Sequence, residues 1–185
     1  MAEYYLISQL PSLDGMSDSS PVPITEERFL ELCERFLKKK ARSELEKLTL
    51  LPSKDSESTG SGLIDAWNEN ERNLRFALAR ARAEKMKKPF DMGDRILPAD
   101  HVRVANAAME IENPMEAEKY LNNYRLQFLE TLSPADHFAE DYVFYYGIKL
   151  KLILRIRQFD TAAGEAAYRN IYSSILSGDG LEARR

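Results

Sequence analysis

His101 and His137 are the two imidazoles of this 185-residue chain, and each stands beside a carboxylate. His137 follows Asp136 and precedes Glu140 and Asp141, and on a helix the i+3 and i+4 positions would share its face. That spacing offers ligands for a metal ion. A carboxylate-bridged centre in a helical protein draws matching Glu-x-x-His ligands from other helices, and no such partner stands elsewhere in the chain. The group therefore reads as a cap and a solvated acidic first turn. Asp100 and His101 have the types for an acid–base pair, but neighbours on a helix point apart, which predicts surface positions for both. Thr59-Gly60-Ser61-Gly62 before a helix invites phosphate, yet it lacks the Lys and the preceding strand of a phosphate loop and reads as a linker with an N-cap. Cys33 has apolar neighbours that raise a thiol pKa and no base beside it. We expect no catalytic, cofactor-binding or metal-ligating residue, hence no enzyme and no cofactor.

Whatever positions these groups is dominated by residues 142–159, YVFYYGIKLKLILRIRQF, with twelve large apolar residues, four cations and no acid. On a helical projection Ile148, Leu152, Ile156 and Phe159 form one stripe and Leu150 and Leu154 a second, with Lys151 and Arg155 between them. A strand is the competing pattern, because apolar residues also alternate from Ile148 to Ile156. Ile153 breaks that alternation, and Ser133-Pro134-Ala135-Asp136 has the form of a helix start. The reading is one helix over 134–158, covered on two sides by its own fold or by another subunit. Gly147 inside it permits a close crossing.

Elsewhere helical periodicity is punctuated by caps. Tyr4 to Leu10 is open between a short extended segment and a helical turn or two, and residues 11–24 are loop. Thr25 caps a helix with Phe29, Leu32, Cys33, Phe36 and Leu37 inside, and Leu45, Leu48 and Leu51 give a second short helix ending before Pro52. PSKDSESTGSG is turn-rich. Ser61 caps a helix over 62–87, Pro98 starts one with Val102, Ala105, Ala108 and Met109 on one side, and Asn113-Pro114 starts another. Asp160 caps a final helix that Gly178 ends. The expectation is an all-α, irregular bundle of about six or seven helices in one domain over 1–185. Within it we distinguish an N-terminal segment and loop (1–24), a first helical pair (25–51), a flexible linker (52–62) and a main helical body (63–178).

A hydrophobic content of 44% suits a folded core, and a net charge of −4 gives no global attraction to nucleic acid. The basic clusters at Lys38–Lys40 and Arg80–Lys88 read as solvated helix faces. A single cysteine points to a reducing compartment. The opening MAEYYLISQL lacks the features of a secretory signal. Residues 142–159 fail as a membrane span, since each of four central cations costs about 2.5–3.5 kcal/mol there. The expected location is cytoplasmic, with peripheral attachment to the inner face of the cell membrane and no insertion.

Tyr4-Tyr5-Leu6-Ile7-Ser8-Gln9-Leu10-Pro11-Ser12-Leu13, Pro23-Ile24, Phe29-Leu30-Glu31-Leu32-Cys33, Tyr145-Tyr146-Gly147-Ile148-Lys149-Leu150-Lys151-Leu152, Arg155 and Phe159-Asp160 resemble a family of small bacterial proteins that accompany the subunits of V-type (A/V-type) ATPases. The resemblance implies a shortened relative of the helical subunit called C in prokaryotes and d in eukaryotes, a socket joining the central stalk to the membrane rotor ring. It implies no catalytic residues.

On this reading the chain is a non-catalytic peripheral subunit or accessory factor of a V-type proton or sodium ATPase. Its partners would be the stalk and ring subunits, and it would be a monomer outside the complex. The expected partner interface is Tyr4, Tyr5, Lys149, Lys151, Arg155 and Arg157. An independent helical interaction module, dimerising through the long helix, is the alternative. A helical metalloenzyme, with metal lost on replacing His137, is the third.

Overall fold

Thr25, Ser61 and Asn113 cap helices as their positions predict. Each side-chain oxygen accepts a backbone N–H from the first turn: from Arg28 at 3.2 Å, Ile64 at 3.4 Å and Met115 at 2.9 Å. The computed structural model describes residues 2–15, 21–52, 58–91, 93, 95–158 and 161–176. Among them are eight helices and no strand: α1 Ala2–Ile7, α2 Glu26–Phe36, α3 Lys39–Lys47, α4 Gly62–Lys85, α5 Ala99–Glu110, α6 Pro114–Thr131, α7 Glu140–Arg157 and α8 Thr161–Leu176. The fold is an all-α multi-helix bundle, and the ambiguous N-terminal segment is helical. Phe159, Asp160, Gly178 and residues 53–57 of the expected linker lie outside the described residues.

The long helix starts later than Ser133-Pro134 predicts. The Asp136 carboxylate accepts the Phe138 N–H at 2.9 Å, so a local turn takes the donors a helix would have used. α7 begins six residues on, at Glu140. The second short helix also ends early, at Lys47, which leaves Leu51 exposed.

Two buried clusters share α4. The larger packs Leu6, α2, α3 and the N-terminal half of α4 around α7, with Trp67, Phe144 and Ile148 among its most enclosed side chains. The smaller joins Leu74, Ala77, Leu78 and Ala81 of α4 to Val104, Ala105 and Ala108 of α5 and Leu121 of α6. Alanine on both α4 and α5 lets those backbones approach closely. The first part of α7 is covered from within the chain, since α2, α3, α4 and α6 all pack on the helix and residues 143–150 are buried without interruption, while Leu154 and Ile156 near its end stay partly exposed. Gly147 marks the tightest crossing: a Cβ there would stand 3.3 Å from both Leu45 Cδ1 and Phe29 Cε1. The described side chains of α8, from Gly164 to Ser174, are exposed. No helix among the described residues is long and apolar enough to cross a membrane.

Candidate partner interface

Aromatic rings exposed on a folded surface mark binding sites, because they offer large apolar area with little side-chain freedom to lose. Tyr4 and Tyr5 lie in the short α1 and are 52% and 59% exposed. Phe138, on the turn before α7, is 52% exposed and brings its ring centroid 4.9 Å from that of Tyr4. Tyr4 in turn meets Tyr5 edge-on at 5.9 Å. The three rings form one patch that joins the chain's start to the turn preceding the long helix. His137, beside Phe138, lies against Tyr142 at 5.0 Å.

The four cations of α7 divide. Lys149 is buried, and its ammonium donates to Asp14 at 2.5 Å, Glu130 at 2.7 Å and the Tyr145 hydroxyl at 3.3 Å. Burial works against its charge, but the bonds to Asp14, Glu130 and Tyr145 outweigh that and hold the ammonium above the usual lysine range. The same contact with Lys149 lowers the pKa of Asp14. With the Tyr146 hydroxyl donating to the Pro11 carbonyl at 2.9 Å, Lys149 ties the 11–15 loop to α7. It is an internal strut and is not accessible to a partner, whereas a lysine in the middle of an apolar helix reads from sequence as a charge seeking solvent.

Lys151 pairs with Glu26 at the start of α2, and Arg155 donates to Glu118 of α6 at 2.7 Å. Both remain partly exposed, at 25% and 28% of their side chains. They line a groove of about 490 Å³ together with Glu26, Leu50, Leu51 and Leu154. Arg157 is half-buried in the last turn of α7.

The walls of this groove are tied together through the interior. Glu118 also accepts from Arg125 at 3.4 Å, and Arg125 engages both oxygens of Glu71, at 3.0 and 3.1 Å. Arg75 then joins Glu71 at 2.9 Å to the Leu50 carbonyl at 3.1 Å. This chain of charge-assisted bonds leaves the groove at Arg155 and returns to it at Leu50. Sequence reasoning missed it because its links lie up to 54 residues apart.

The residues weighed for catalysis are not assembled into a site. His137 is exposed on the turn ahead of α7, so it shares no helix face with Glu140 and Asp141, and Asp141 accepts from the Ser61 hydroxyl at 3.2 Å. Among the described residues no group of His, Cys, Asp and Glu is placed to hold a metal ion. His101 is buried, contrary to the expected surface position, because it shares the inner face of α5 with Val104, Ala105 and Ala108. Its Nε2 lies 2.9 Å from the Asn70 side-chain oxygen, which also accepts from the Tyr124 hydroxyl at 3.1 Å. Desolvation lowers the His101 pKa. Ser58 and Thr59 bond to Asp65 around the Ser61 cap, so that turn's donors are spent on the start of α4. Burial pushes the Cys33 thiol up to about 12.

Residues 88–179, from the turn after α4 through α8, match the model of a family described as a protein of unknown function, DUF2764. No curated protein and no solved structure matches the chain.

Proposed function

We propose that this chain is a non-catalytic subunit or accessory factor of a bacterial V-type ATPase, peripheral to the cytoplasmic side of the membrane and bound to stalk or ring subunits. The observation that carries the reading is the patch of Tyr4, Tyr5 and Phe138, in which the Tyr4 ring meets both of the others and each residue is more than half exposed. Rings so placed anchor protein interfaces. Tyr4 and Tyr5 open one of the two stretches that resemble the ATPase-associated family, while the second, residues 145–152, forms the helix around which the larger core is built. A chain with a rigid all-helical core and an aromatic patch suits an adaptor, which has to transmit position or torque and has no bond to make.

Affinity purification of the protein from its native membranes, at salt mild enough to keep peripheral subunits attached, should bring stalk or ring subunits with it. Tyr5→Ala with Phe138→Ala should abolish that recovery without lowering the melting temperature. Recovery of the protein alone, as a monomer or homodimer, refutes the assignment.

A self-associating helical module is the second reading, favoured by α8, whose Tyr168 and Tyr172 are exposed and stack at 6.1 Å. On this reading the seam would lie on α8, since residues 143–150 of α7 are buried within the chain. Sedimentation of the purified chain separates the two readings.

A further inference from the structure

We propose that the aromatic patch of Tyr4, Tyr5 and Phe138 receives a basic partner segment, which lays an arginine or lysine across the rings and against the carboxylates that border them. The inference rests on the reading of this chain as a protein-binding subunit and names the chemistry of its partner.

Uncompensated charge selects that occupant. Phe138 stands between Asp136 and Glu140 in the chain, and Asp141 follows. Asp136 accepts the Phe138 N–H at 2.9 Å and Asp141 accepts the Ser61 hydroxyl at 3.2 Å, both neutral donors. Among the described residues no cation pairs with Asp136, Glu140 or Asp141, so three negative charges at this turn lack a counter-charge. The aromatic surface continues past Phe138, since the neighbouring His137 ring lies against Tyr142, and Tyr142 lies 5.7 Å from Tyr145. The Tyr145 hydroxyl donates to Glu130 at 2.8 Å, and Glu130 and Asp14, both exposed, share the Lys149 ammonium between them. That leaves one more negative charge in excess. On α1, Glu3 has Lys38 at 3.7 Å, so the excess lies on the α7 side of the patch.

Aromatic faces beside unpaired carboxylates suit a guanidinium best, because its plane stacks on a ring while its N–H groups pair with carboxylate oxygens. An uncharged apolar segment would cover the rings but take the carboxylates out of water with no counter-charge, which is costly. A nucleic acid or an anionic lipid surface meets repulsion at the same place. The exposed Tyr168 and Tyr172 of α8 make no such selection, since Glu165 and Arg169 beside them pair with each other.

Asp136→Asn, Glu140→Gln and Asp141→Asn, combined in one variant, remove the three charges and keep an acceptor oxygen at each position. A control variant with Glu46→Gln, Glu110→Gln and Glu112→Gln changes the net charge equally at exposed positions elsewhere. In affinity purification from native membranes, the first variant should lower recovery of ATPase subunits about tenfold and the control should not, in preparations of equal helical circular dichroism. Equal recovery for the two variants overturns the basic occupant and leaves the subunit reading intact. The photo-crosslinker p-benzoylphenylalanine at position 5, in the protein expressed with its ATPase and irradiated in membranes, identifies what covers the patch. A crosslink to an ATPase subunit in a segment of net positive charge supports the proposal. One to a neutral or acidic segment, or to a second copy of this chain, overturns it. Recovery of ATPase subunits with no crosslink from position 5 also overturns it, and the absence of those subunits from the wild-type preparation overturns the subunit reading as well.

Discussion

Arg125 grips both carboxylate oxygens of Glu71 at 3.0 and 3.1 Å, in a part of the bundle where the two side chains are 6% and 1% exposed. Removing the cation strands a buried carboxylate that keeps, among the described residues, the Arg75 pair. Arg125→Ala should cost about 3–5 kcal/mol of unfolding free energy. Arg125→Met with Glu71→Leu should cost much less than the sum of the single changes, because no charge is then left uncompensated. Urea denaturation of the three variants checks this, and additive losses would mean that the pair is not coupled.

Gly147 makes a sharper packing prediction than its helix position suggests. Alanine there gains about 1 kcal/mol in helix propensity but places a methyl 3.3 Å from the Leu45 and Phe29 side chains, which must shift by a few tenths of an ångström. The two effects oppose, so Gly147→Ala should lie within about 1 kcal/mol of the wild type. Gly147→Leu cannot be accommodated by such a shift and should lose at least about 1–3 kcal/mol. The urea midpoints of the two variants decide it. Equal stability for leucine would show that the crossing is loose.

These cases show which parts of the fold are legible from the sequence. Thr25, Ser61 and Asn113 are readable as caps because their bonds are made within three residues, so the local spacing contains the whole interaction. The start of α7 is misread because Asp136 fits both a helical first turn and the tighter turn it makes with Phe138, and nothing local separates the two. His101 looks like a surface residue until Asn70 is seen to meet it from α4, 31 residues away. In the candidate interface, Tyr4 and Tyr5 stand out by type, while Phe138 joins them only because a turn far along the chain returns to α1. Lys149 fails for the same reason: its counter-charges, Asp14 and Glu130, are 135 and 19 positions away.

His101 should make the smaller cluster acid-sensitive. Desolvation lowers its pKa in the folded state, so between that value and the unfolded pKa of about 6.5 the unfolded chain binds more protons. Its contribution is complete above about pH 6.5 and is lost as the pH falls below it. Between pH 7.5 and 5.0 the urea midpoint should drop more steeply for the wild type than for His101→Gln. Asp100, Glu69 and Glu71 pull the His101 pKa upward and moderate the effect. Equal slopes would assign the acid sensitivity to other groups.

Cys33 reports on the larger core. Its side chain is fully buried among the apolar residues of that core, and burial pushes the thiol pKa up to about 12. At pH 8 the native protein should therefore react with a chromogenic disulfide reagent at least about a hundredfold more slowly than in denaturant, since the thiolate is the reacting form. Because the folded pKa is raised, the thiol favours the folded state fully below about pH 8.5 and loses that contribution as the pH rises toward 12. Fast labelling of the native protein at low denaturant would mean that α2 opens away from α7 independently of the rest. Slow labelling whose rate rises only near the global unfolding midpoint would show that α2, α7 and the interior of the larger cluster unfold as one unit.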